Sequence, residues 1–246
     1  MQIDLLTLFP EFFTSPLSQS MLQKAQLQGT LVVRVINLRD FTAGRHRVAD
    51  DRPFGGGPGM VLKIEPLVKA IRAARQEDPE VRVILLSPTG PLFNQEKARG
   101  LATRRRLLLI CGHYEGVDGR IRFYIDEELC IGDYILTGGE IAALAVVDAV
   151  TRLLPGVLGG PGATEEESFH AGLLEYPHYT RPRVFEGHGV PAVLLEGDHQ
   201  AIARWRRQQA LRLTAARRPD LVAQAVLTDE DREFLRNLAE MPGEDE

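Results

Sequence analysis

The chain has few of the residues that mark secreted, zinc-binding or membrane proteins. Only two of its 246 residues are cysteines, Cys111 and Cys130, and neither stands in a CxxC pair or at metal spacing from a histidine. This argues against a disulfide framework and a zinc site, and favours a reduced protein. No run approaches the roughly eighteen uncharged apolar residues of a membrane span, and the first residues lack the basic and apolar regions of a signal peptide. We therefore expect a cytoplasmic protein with no membrane partner.

An excess of positive charge is also lacking. The formal net charge is −5, which taken alone argues against a nucleic-acid partner. Basic residues are nevertheless concentrated in residues 39–52, 97–106 and 204–218, and acidic residues in 126–128, 165–167 and 240–246. For nucleic-acid binding, the electrostatic field of such a cluster matters more than the net charge of the chain. A single basic run is nevertheless more often a solvated helix face.

Short apolar runs alternate with helical stretches before residue 112. The pattern predicts strands over residues 3–9, 31–38, 81–87 and 107–111, and helices over residues 15–28, 65–75 and 94–103. This alternation predicts an α/β fold with a parallel sheet covered on both faces. Residues 40–60 show neither the helical nor the strand periodicity of apolar residues. The glycines between 55 and 59 fit neither a P-loop nor a dinucleotide-binding fingerprint.

Two loops rich in glycine follow the run at residues 107–111. They span residues 112–116 and 131–139. In an open α/β sheet, ligands bind where strands end, and glycines there let the backbone approach a ligand closely. The alternative is that these glycines are ordinary turn residues.

The second loop leads into an apolar helix. Thr137 and Glu140 have the spacing of a capping box, which predicts that the helix begins there and continues over residues 141–154. The helix is too apolar for a surface position. It is therefore expected to be buried, either in its own domain or against another subunit.

The composition changes near residue 160. Residues 160–172 contain small residues followed by carboxylates and are expected to form a flexible linker between a domain at residues 1–159 and one at residues 173–246. In the latter, Asp198 is placed to cap a helix over residues 201–218, which carries six arginines, and Thr228 with Asp231 resembles a capping box for a last helix. The C-terminal domain is predicted to be small and all-α.

Several motifs together resemble the bacterial tRNA (guanine-N1)-methyltransferase family. They lie at residues 50–60, 86–88, 107–139, 155–159 and 176–182, and the resemblance runs from about residue 3 to about residue 238. Members of this family methylate N1 of guanine 37 in tRNA, beside the anticodon, with S-adenosylmethionine as the methyl donor. The resemblance implies a parallel sheet with a deep C-terminal trefoil knot, a C-terminal tRNA-binding domain, and a homodimer with a shared active site.

The resemblance also implies which residues bind the two substrates. Those implied to bind S-adenosylmethionine are Leu86, Ser87, Pro88, Gly112, Tyr114, Glu115, Gly116, Ile131, Gly132, Asp133, Tyr134, Ile135, Leu136, Gly138 and Gly139. Those implied to bind the tRNA are Asp50, Gly59 and Ser168.

Two residues are implied to act in the reaction. Arg152 is the cation that faces the developing charge on guanine O6, and a carboxylate just before Ser168 is the base. Family members carry aspartate there, whereas an ungapped alignment places Glu167 at this position, and Glu165 and Glu166 remain alternatives. Mg²⁺ has no readable ligand cluster, although it can act through carboxylates or tRNA phosphates without one.

Two further departures from the family pattern occur in the first loop. His113 stands where some relatives have arginine, and Gly119 where some have glutamate. A lone histidine after a strand is more often structural than catalytic, so His113 is assigned no role.

Two other functions compete with this interpretation. One is methylation of a ribose hydroxyl in RNA, against which the basic C-terminal helix and the motif at residues 50–59 argue. The other is a non-catalytic RNA-binding or regulatory protein that retains the cofactor pocket. Methyl transfer to unmodified tRNA with and without guanine at position 37 distinguishes them.

Overall fold

The computed structural model describes residues 1–159 and 167–240. The chain divides into two compact units, Met1–Gly159 and Gly160–Glu246, called below the N-terminal and C-terminal units. Of the stretch expected to form a linker, residues 160–166 lie outside the described residues. No helix in the described parts of the chain has the length and apolar character needed to cross a membrane.

The secondary structure follows the predicted alternation in the N-terminal unit. The strands are β1 Gln2–Thr7, β2 Val32–Asn37, β3 Asp50–Asp51, β4 Val61–Leu62, β5 Arg82–Leu86, β6 Arg106–Cys111, β7 Glu127–Leu129, β8 Val184–Phe185 and β9 His188–Gly189. The α-helices are α1 Thr14–Leu17, α2 Ser20–Leu27, α3 Ile64–Glu77, α4 Gln95–Ala102, α5 Glu140–Thr151, α6 His199–Arg217, α7 Pro219–Val222 and α8 Asp229–Glu240. Short 3₁₀ helices occupy Pro10–Phe13, Leu38–Phe41, Gly119–Phe123 and Ala192–Leu194.

Five parallel strands form the central sheet in the order β2-β1-β6-β5-β7. Every residue of β6 is buried, as expected for a central strand covered on both faces. Successive side chains of a strand point to opposite faces, so Leu107 and Leu109 pack with α2, α4 and α5 while Leu108 and Ile110 pack with α3. The predicted α/β fold with a parallel sheet is therefore confirmed.

A buried ionic cluster joins the first residues of three strands. The Asp4 carboxylate accepts hydrogen bonds from Arg34 Nε at 2.8 Å and from Arg106 Nε at 2.8 Å, and Arg106 Nη2 also bonds to Glu77 at 2.9 Å. Burial alone raises the pKa of Asp4, but the bonds from Arg34, Gln2 and Arg106 outweigh it and lower that pKa. The cluster lies near the amino ends of these strands, at the opposite edge of the sheet from their carboxyl ends.

The structure departs from the sequence prediction at the second helix and at β7. The helix expected over residues 15–28 is broken, because Gln19 is extended and Ser20 has a φ of +48°. Strand β7 was not predicted, because its residues are acidic. Its Glu127 carboxylate is balanced by Arg82 Nε at 3.0 Å and by Lys97, which lie far away in the sequence.

The start of α5 corrects the capping-box prediction. The helix begins at Glu140 with Gly139 at the N-cap, and no side chain of the described residues caps it. The Glu140 side chain instead turns inward, is buried, and accepts a hydrogen bond from Thr7 Oγ1 at 2.7 Å. Val146 and Val147 are fully buried within the N-terminal unit. The apolar character of α5 is thus largely explained by packing in its own unit.

The C-terminal unit contains both predicted helix caps. Asp198 Oδ1 accepts from the amides of Gln200 and Ala201 at 2.9 and 3.1 Å. Thr228 and Asp231 form the reciprocal pair, with Thr228 N donating to Asp231 Oδ2 at 2.8 Å and Asp231 N donating to Thr228 Oγ1 at 3.2 Å. The described residues of this unit are not purely helical, because β8 and β9 form a short antiparallel hairpin.

Candidate active site

A cavity of about 430 Å³ lies at the carboxyl ends of β5, β6 and β7. This volume is in the range of roughly 300–1,000 Å³ that is usual for small-molecule sites. The residues that line it are Leu85, Leu86, Ser87, Pro88, Gly112, His113, Tyr114, Glu115, Gly116, Val117, Leu129, Cys130, Ile131, Gly132, Tyr134, Ile135, Leu136, Thr137, Gly138, Gly139 and Ala142. Its wall therefore consists of the segments that follow three parallel strands.

The two glycine-rich loops are joined to each other by backbone contacts. Gly139 N donates to the Gly112 carbonyl at 2.8 Å, and His113 pairs with Gly138 in an antiparallel bridge. A Cβ atom on residue 139 would lie 2.7 Å from Cys111 Cα. Because the obstacle is backbone, only glycine fits at position 139.

The segment after β5 lies beside the end of β7. Ser87 N donates to the Leu129 carbonyl at 2.9 Å, and Phe93 N donates to the Cys130 carbonyl at 2.7 Å. A Cβ on Gly90 would lie 2.6 Å from the backbone of residues 128 and 129. Close backbone approach thus holds the segment after β5, which forms part of the cavity wall, against the end of β7.

An exposed tyrosine covers part of the second loop. Tyr134 Oη donates to the Ile131 carbonyl at 3.5 Å, and a Cβ on Gly132 would lie 2.3 Å from a Tyr134 ring carbon. Here the obstacle is a mobile ring, so a side chain at 132 would displace Tyr134 and change the shape of the cavity.

The structure brings together nearly all residues that the resemblance implied for the cofactor. All of them line the cavity except Asp133, which is exposed on the same loop. The sequence prediction missed seven residues that also line it: Leu85, His113, Val117, Leu129, Cys130, Thr137 and Ala142. Ala142 follows the second loop within the first turn of α5, a position that could have been inferred from the predicted helix.

The segment with Asp50 and Gly59 docks on the first loop. Leu62 N donates to the Gly116 carbonyl and Glu115 N to the Met60 carbonyl, both at 3.0 Å. Gly59 has a φ of +81°, and a Cβ there would lie 2.5 Å from Glu115 Cγ. Asp50 pairs with Leu62 in the β3–β4 ladder. Two of the three residues implied to bind the tRNA, Asp50 and Gly59, therefore belong to a segment fixed to the cavity wall.

A buried polar group lies under the junction of the loops. Thr7 Oγ1 donates to Glu140 Oε1 at 2.7 Å and accepts from Phe9 N at 2.9 Å. The position of a Cβ on Gly138 would be 2.3 Å from Glu140 Oε2 and 2.6 Å from His113 Nδ1. Among the described residues, the buried His113 Nδ1 has no hydrogen-bond partner.

The Cys111 thiol, which lies near Glu140, is unreactive. Burial raises the pKa of the Cys111 thiol well above its usual value, and the negative charge of Glu140 raises it further. The thiolate is the reactive form of cysteine. Cys111 therefore acts as a small buried side chain, not as a nucleophile.

The residues implied for catalysis lie in different units. Arg152 directly follows α5, and its amide donates to the Asp148 carbonyl at 3.1 Å. Glu167 and Ser168 belong to the C-terminal unit, where Ser168 Oγ accepts from Glu175 N at 2.9 Å. Glu165 and Glu166 lie outside the described residues. Within the described ranges, no group of three or more His, Cys, Asp or Glu side chains is placed to hold a metal ion.

The α6 arginines differ in what they contact. Arg207 binds the buried Asp231 carboxylate with two bonds of 3.0 and 2.8 Å, and the Arg206 guanidinium lies 4.8 Å from the ring centre of Tyr176. Arg212 and Arg217 are exposed and make no ion pair with the described residues. Only part of this basic helix is thus engaged within its own unit.

Comparison with known proteins shows the family of the chain. The model of the family described as tRNA (Guanine-1)-methyltransferase TrmD matches residues 1–224. Among curated relatives, the tRNA (guanine-N(1)-)-methyltransferase of Dictyoglomus turgidum is 55% identical over 97% of this chain and 96% of its own. The protein of the same name from Geotalea uraniireducens is 52% identical over 100% of both chains. That from Chloroflexus aggregans is 55% identical over 96% of this chain and 94% of its own. The chain is therefore an enzyme of the tRNA (guanine-1)-methyltransferase family.

Proposed function

We propose that this enzyme transfers a methyl group from S-adenosylmethionine to N1 of guanine 37 in tRNA. The observation that carries the proposal is the cavity, because the loops that the family resemblance assigns to the cofactor form its wall together. The names of the relatives support guanine N1 as the target atom. Position 37 rests on the resemblance of the motifs.

The walls of the cavity suit this cofactor chemically. Its apolar residues, including Leu86, Ile131 and Leu136, match a flat neutral ring such as adenine, and the glycines expose backbone donors and acceptors to its edge. When bound there, S-adenosylmethionine supplies an electrophilic methyl group on a sulfonium sulfur. We further propose that the three loops are threaded as a trefoil knot. The close pairing of Ser87 with Leu129 and of Gly112 with Gly139 supports this.

The reaction requires one base and one cation. N1 of guanine carries a proton, so methylation at N1 needs a base, and negative charge builds on O6 as the proton leaves. In this proposal Glu167 takes the proton and Arg152 stabilises the charge on O6, while Asp50, Gly59 and Ser168 position the RNA. A solvated carboxylate has a pKa near 4 and is a weak base for this proton. Glu167 must therefore act where bulk water is excluded.

The C-terminal unit is proposed to bind the tRNA, and two chains to share each active site in a cytoplasmic homodimer. Arg212 and Arg217 support the first part, because exposed guanidinium groups on one helix suit phosphates. The dimer rests chiefly on the resemblance. The side chain of Ile141 is 49% exposed on α5 and offers an apolar contact for a partner chain.

Single-turnover methylation tests the proposed base. General-base catalysis contributes about 10²- to 10⁴-fold in rate, so Glu167→Gln is expected to slow methylation by that factor and leave cofactor affinity unchanged. Glu165→Gln and Glu166→Gln are matched controls and are expected to keep nearly the full rate. If Glu166→Gln is slow and Glu167→Gln is fast, the base is Glu166.

The same assay tests the substrate. Transcripts with guanine at position 37 are expected to be methylated, transcripts with adenine there are not, and digestion of the product should release N1-methylguanosine. A 2′-O-methylated nucleoside would instead support the ribose reaction. Tight tRNA and cofactor binding without any methyl transfer would support a non-catalytic protein.

A further inference from the structure

The loop between β3 and β4 holds an aromatic ring fully in solvent. Phe54 is 102% exposed, more than any other large hydrophobic residue of the described chain. It directly precedes Gly55, Gly56 and Gly57, whose φ angles of +88°, +78° and +116° are in the left-handed region. No neighbouring side chain covers the ring, since the glycines that follow have none. The ring gains no hydrophobic stabilisation within the chain in this position, so its whole surface is available to contact a bound molecule.

The position of the loop indicates which kind of molecule the Phe54 ring binds. Its C-terminal end is fixed to the cavity wall, because Gly59 abuts Glu115 and Met60 accepts the Glu115 amide at 3.0 Å. Its N-terminal end carries Arg52, which is exposed and makes no ion pair with the described residues. An exposed ring two positions from an exposed arginine, on a loop whose end is fixed to the cavity wall, is suited to a base and its phosphate.

The chemistry of the reaction supplies an unstacked base. N1 lies on the pairing edge of guanine, and an enzyme that modifies a base must take it out of its stack to reach it. Withdrawal of guanine 37 leaves each neighbouring base with one uncovered face. We propose that Phe54 stacks on the exposed face of a base that flanks the target guanine and so stabilises the extruded state. This inference rests on the proposed function.

Three substitutions separate stacking from other contacts. Phe54→Ala is expected to weaken tRNA binding about 5- to 150-fold, the equivalent of about 1–3 kcal/mol for one stacked base. Phe54→Leu keeps apolar volume but has no π face, so it is expected to lose nearly as much. Phe54→Tyr keeps the face and is expected to stay within about threefold of the unmodified enzyme. Phe123→Leu is the control, because Phe123 is also exposed in the N-terminal unit but belongs to the 3₁₀ helix Gly119–Phe123 and not to the loop between β3 and β4.

The measurement is tRNA affinity, with 2-aminopurine placed in turn at positions 36 and 38. Stacking quenches its fluorescence, so one of the two labels is expected to be brighter in complexes with Phe54→Leu than in complexes with the unmodified enzyme or Phe54→Tyr. Cofactor affinity should not change in any variant. The inference is wrong if Phe54→Leu binds tRNA normally with unchanged fluorescence. It is also wrong if Phe54→Ala dissociates a dimer in sedimentation, since the ring would then contact a second copy of the chain.

These outcomes differ from a failure of the proposed function. If the unmodified enzyme does not methylate guanine 37, the function is wrong whatever the variants do. If it does methylate guanine 37 and Phe54→Leu equals Phe54→Tyr, only the stacking inference is rejected.

Discussion

Replacing Thr7 by valine is expected to destabilise the N-terminal unit by about 3 kcal/mol, although the two side chains have nearly the same shape. Thr7 is fully buried, and its hydroxyl both donates to Glu140 at 2.7 Å and accepts from Phe9 N at 2.9 Å. Valine removes both bonds and leaves the buried Glu140 carboxylate and the partly buried Phe9 amide without these partners. A hydrogen bond to a charged group contributes about 1.5–3 kcal/mol, and an unsatisfied buried group costs about 1–3 kcal/mol. Glu140 also lies in the first turn of α5, where the helix dipole stabilises its negative charge, and this keeps the total near the middle of the combined range.

Amide hydrogen exchange in β1 and β6 measures this loss of stability in the N-terminal unit. A loss of 3 kcal/mol corresponds to about 150-fold faster exchange of the most protected amides. The single tryptophan, Trp205, lies in α6, so its fluorescence follows the C-terminal unit and should report an unchanged unfolding transition. Thr7→Ser keeps the hydroxyl and is expected to cost only about 1 kcal/mol for the lost methyl group. If valine is neutral and serine is the damaging change, packing of the methyl group matters and the hydrogen bond to Glu140 does not.

Three further predictions follow from other contacts. Gly132→Val is expected to abolish cofactor binding in calorimetry while the protein stays folded, since the added Cβ would lie 2.3 Å from a ring carbon of the neighbouring tyrosine; unchanged affinity would contradict the assignment of the cavity. Neutralising Arg212 and Arg217 together is expected to lower the slope of log K for tRNA against log salt by up to about two units, and an unchanged slope would show that they only face solvent. Asp231 has its pKa lowered to about 2, chiefly because Arg207 hydrogen-bonds to it. The stabilisation from this pair is therefore present above about pH 4 and lost as the pH falls toward 2. Asp231→Asn should remove that part of the acid dependence, roughly 2 kcal/mol, in a fluorescence titration, and an identical acid profile would refute it.

The features that the sequence predicted well depend on nearby residues. The caps at Asp198 and Thr228 bond to amides within three positions. The segments after β5 and β6 line one cavity, as the parallel order of the strands predicts, because parallel strands end at the same edge of a sheet. Such features can be derived from a short window of sequence together with one topological rule.

The features that were missed depend on distant partners. Glu140 has the spacing of a capping residue, but Thr7, 133 positions away, holds it in the core. Strand β7 is acidic and became a strand because Arg82 and a lysine of α4 neutralise Glu127. The number of arginines in α6 likewise could not show that Arg207 is committed to Asp231. In each case a charged side chain is held by a residue whose position is known only from the fold.

The order of strands in the sheet also bears on how the chain folds as it is made. Strand β1 lies between β2 and β6, and its residue Gln2 pairs with Arg106, so one side of the first strand synthesised must wait for residues made about a hundred positions later. At about 5–20 residues per second, this interval is roughly 5 to 20 s. The β1–β2 pair alone is a two-stranded ribbon, which is marginally stable in water. Nascent chains that end before β6 are therefore expected to be cleaved by protease within β1, and chains that extend past β7 to resist it, so the strand at the start of the sequence is protected only late in synthesis.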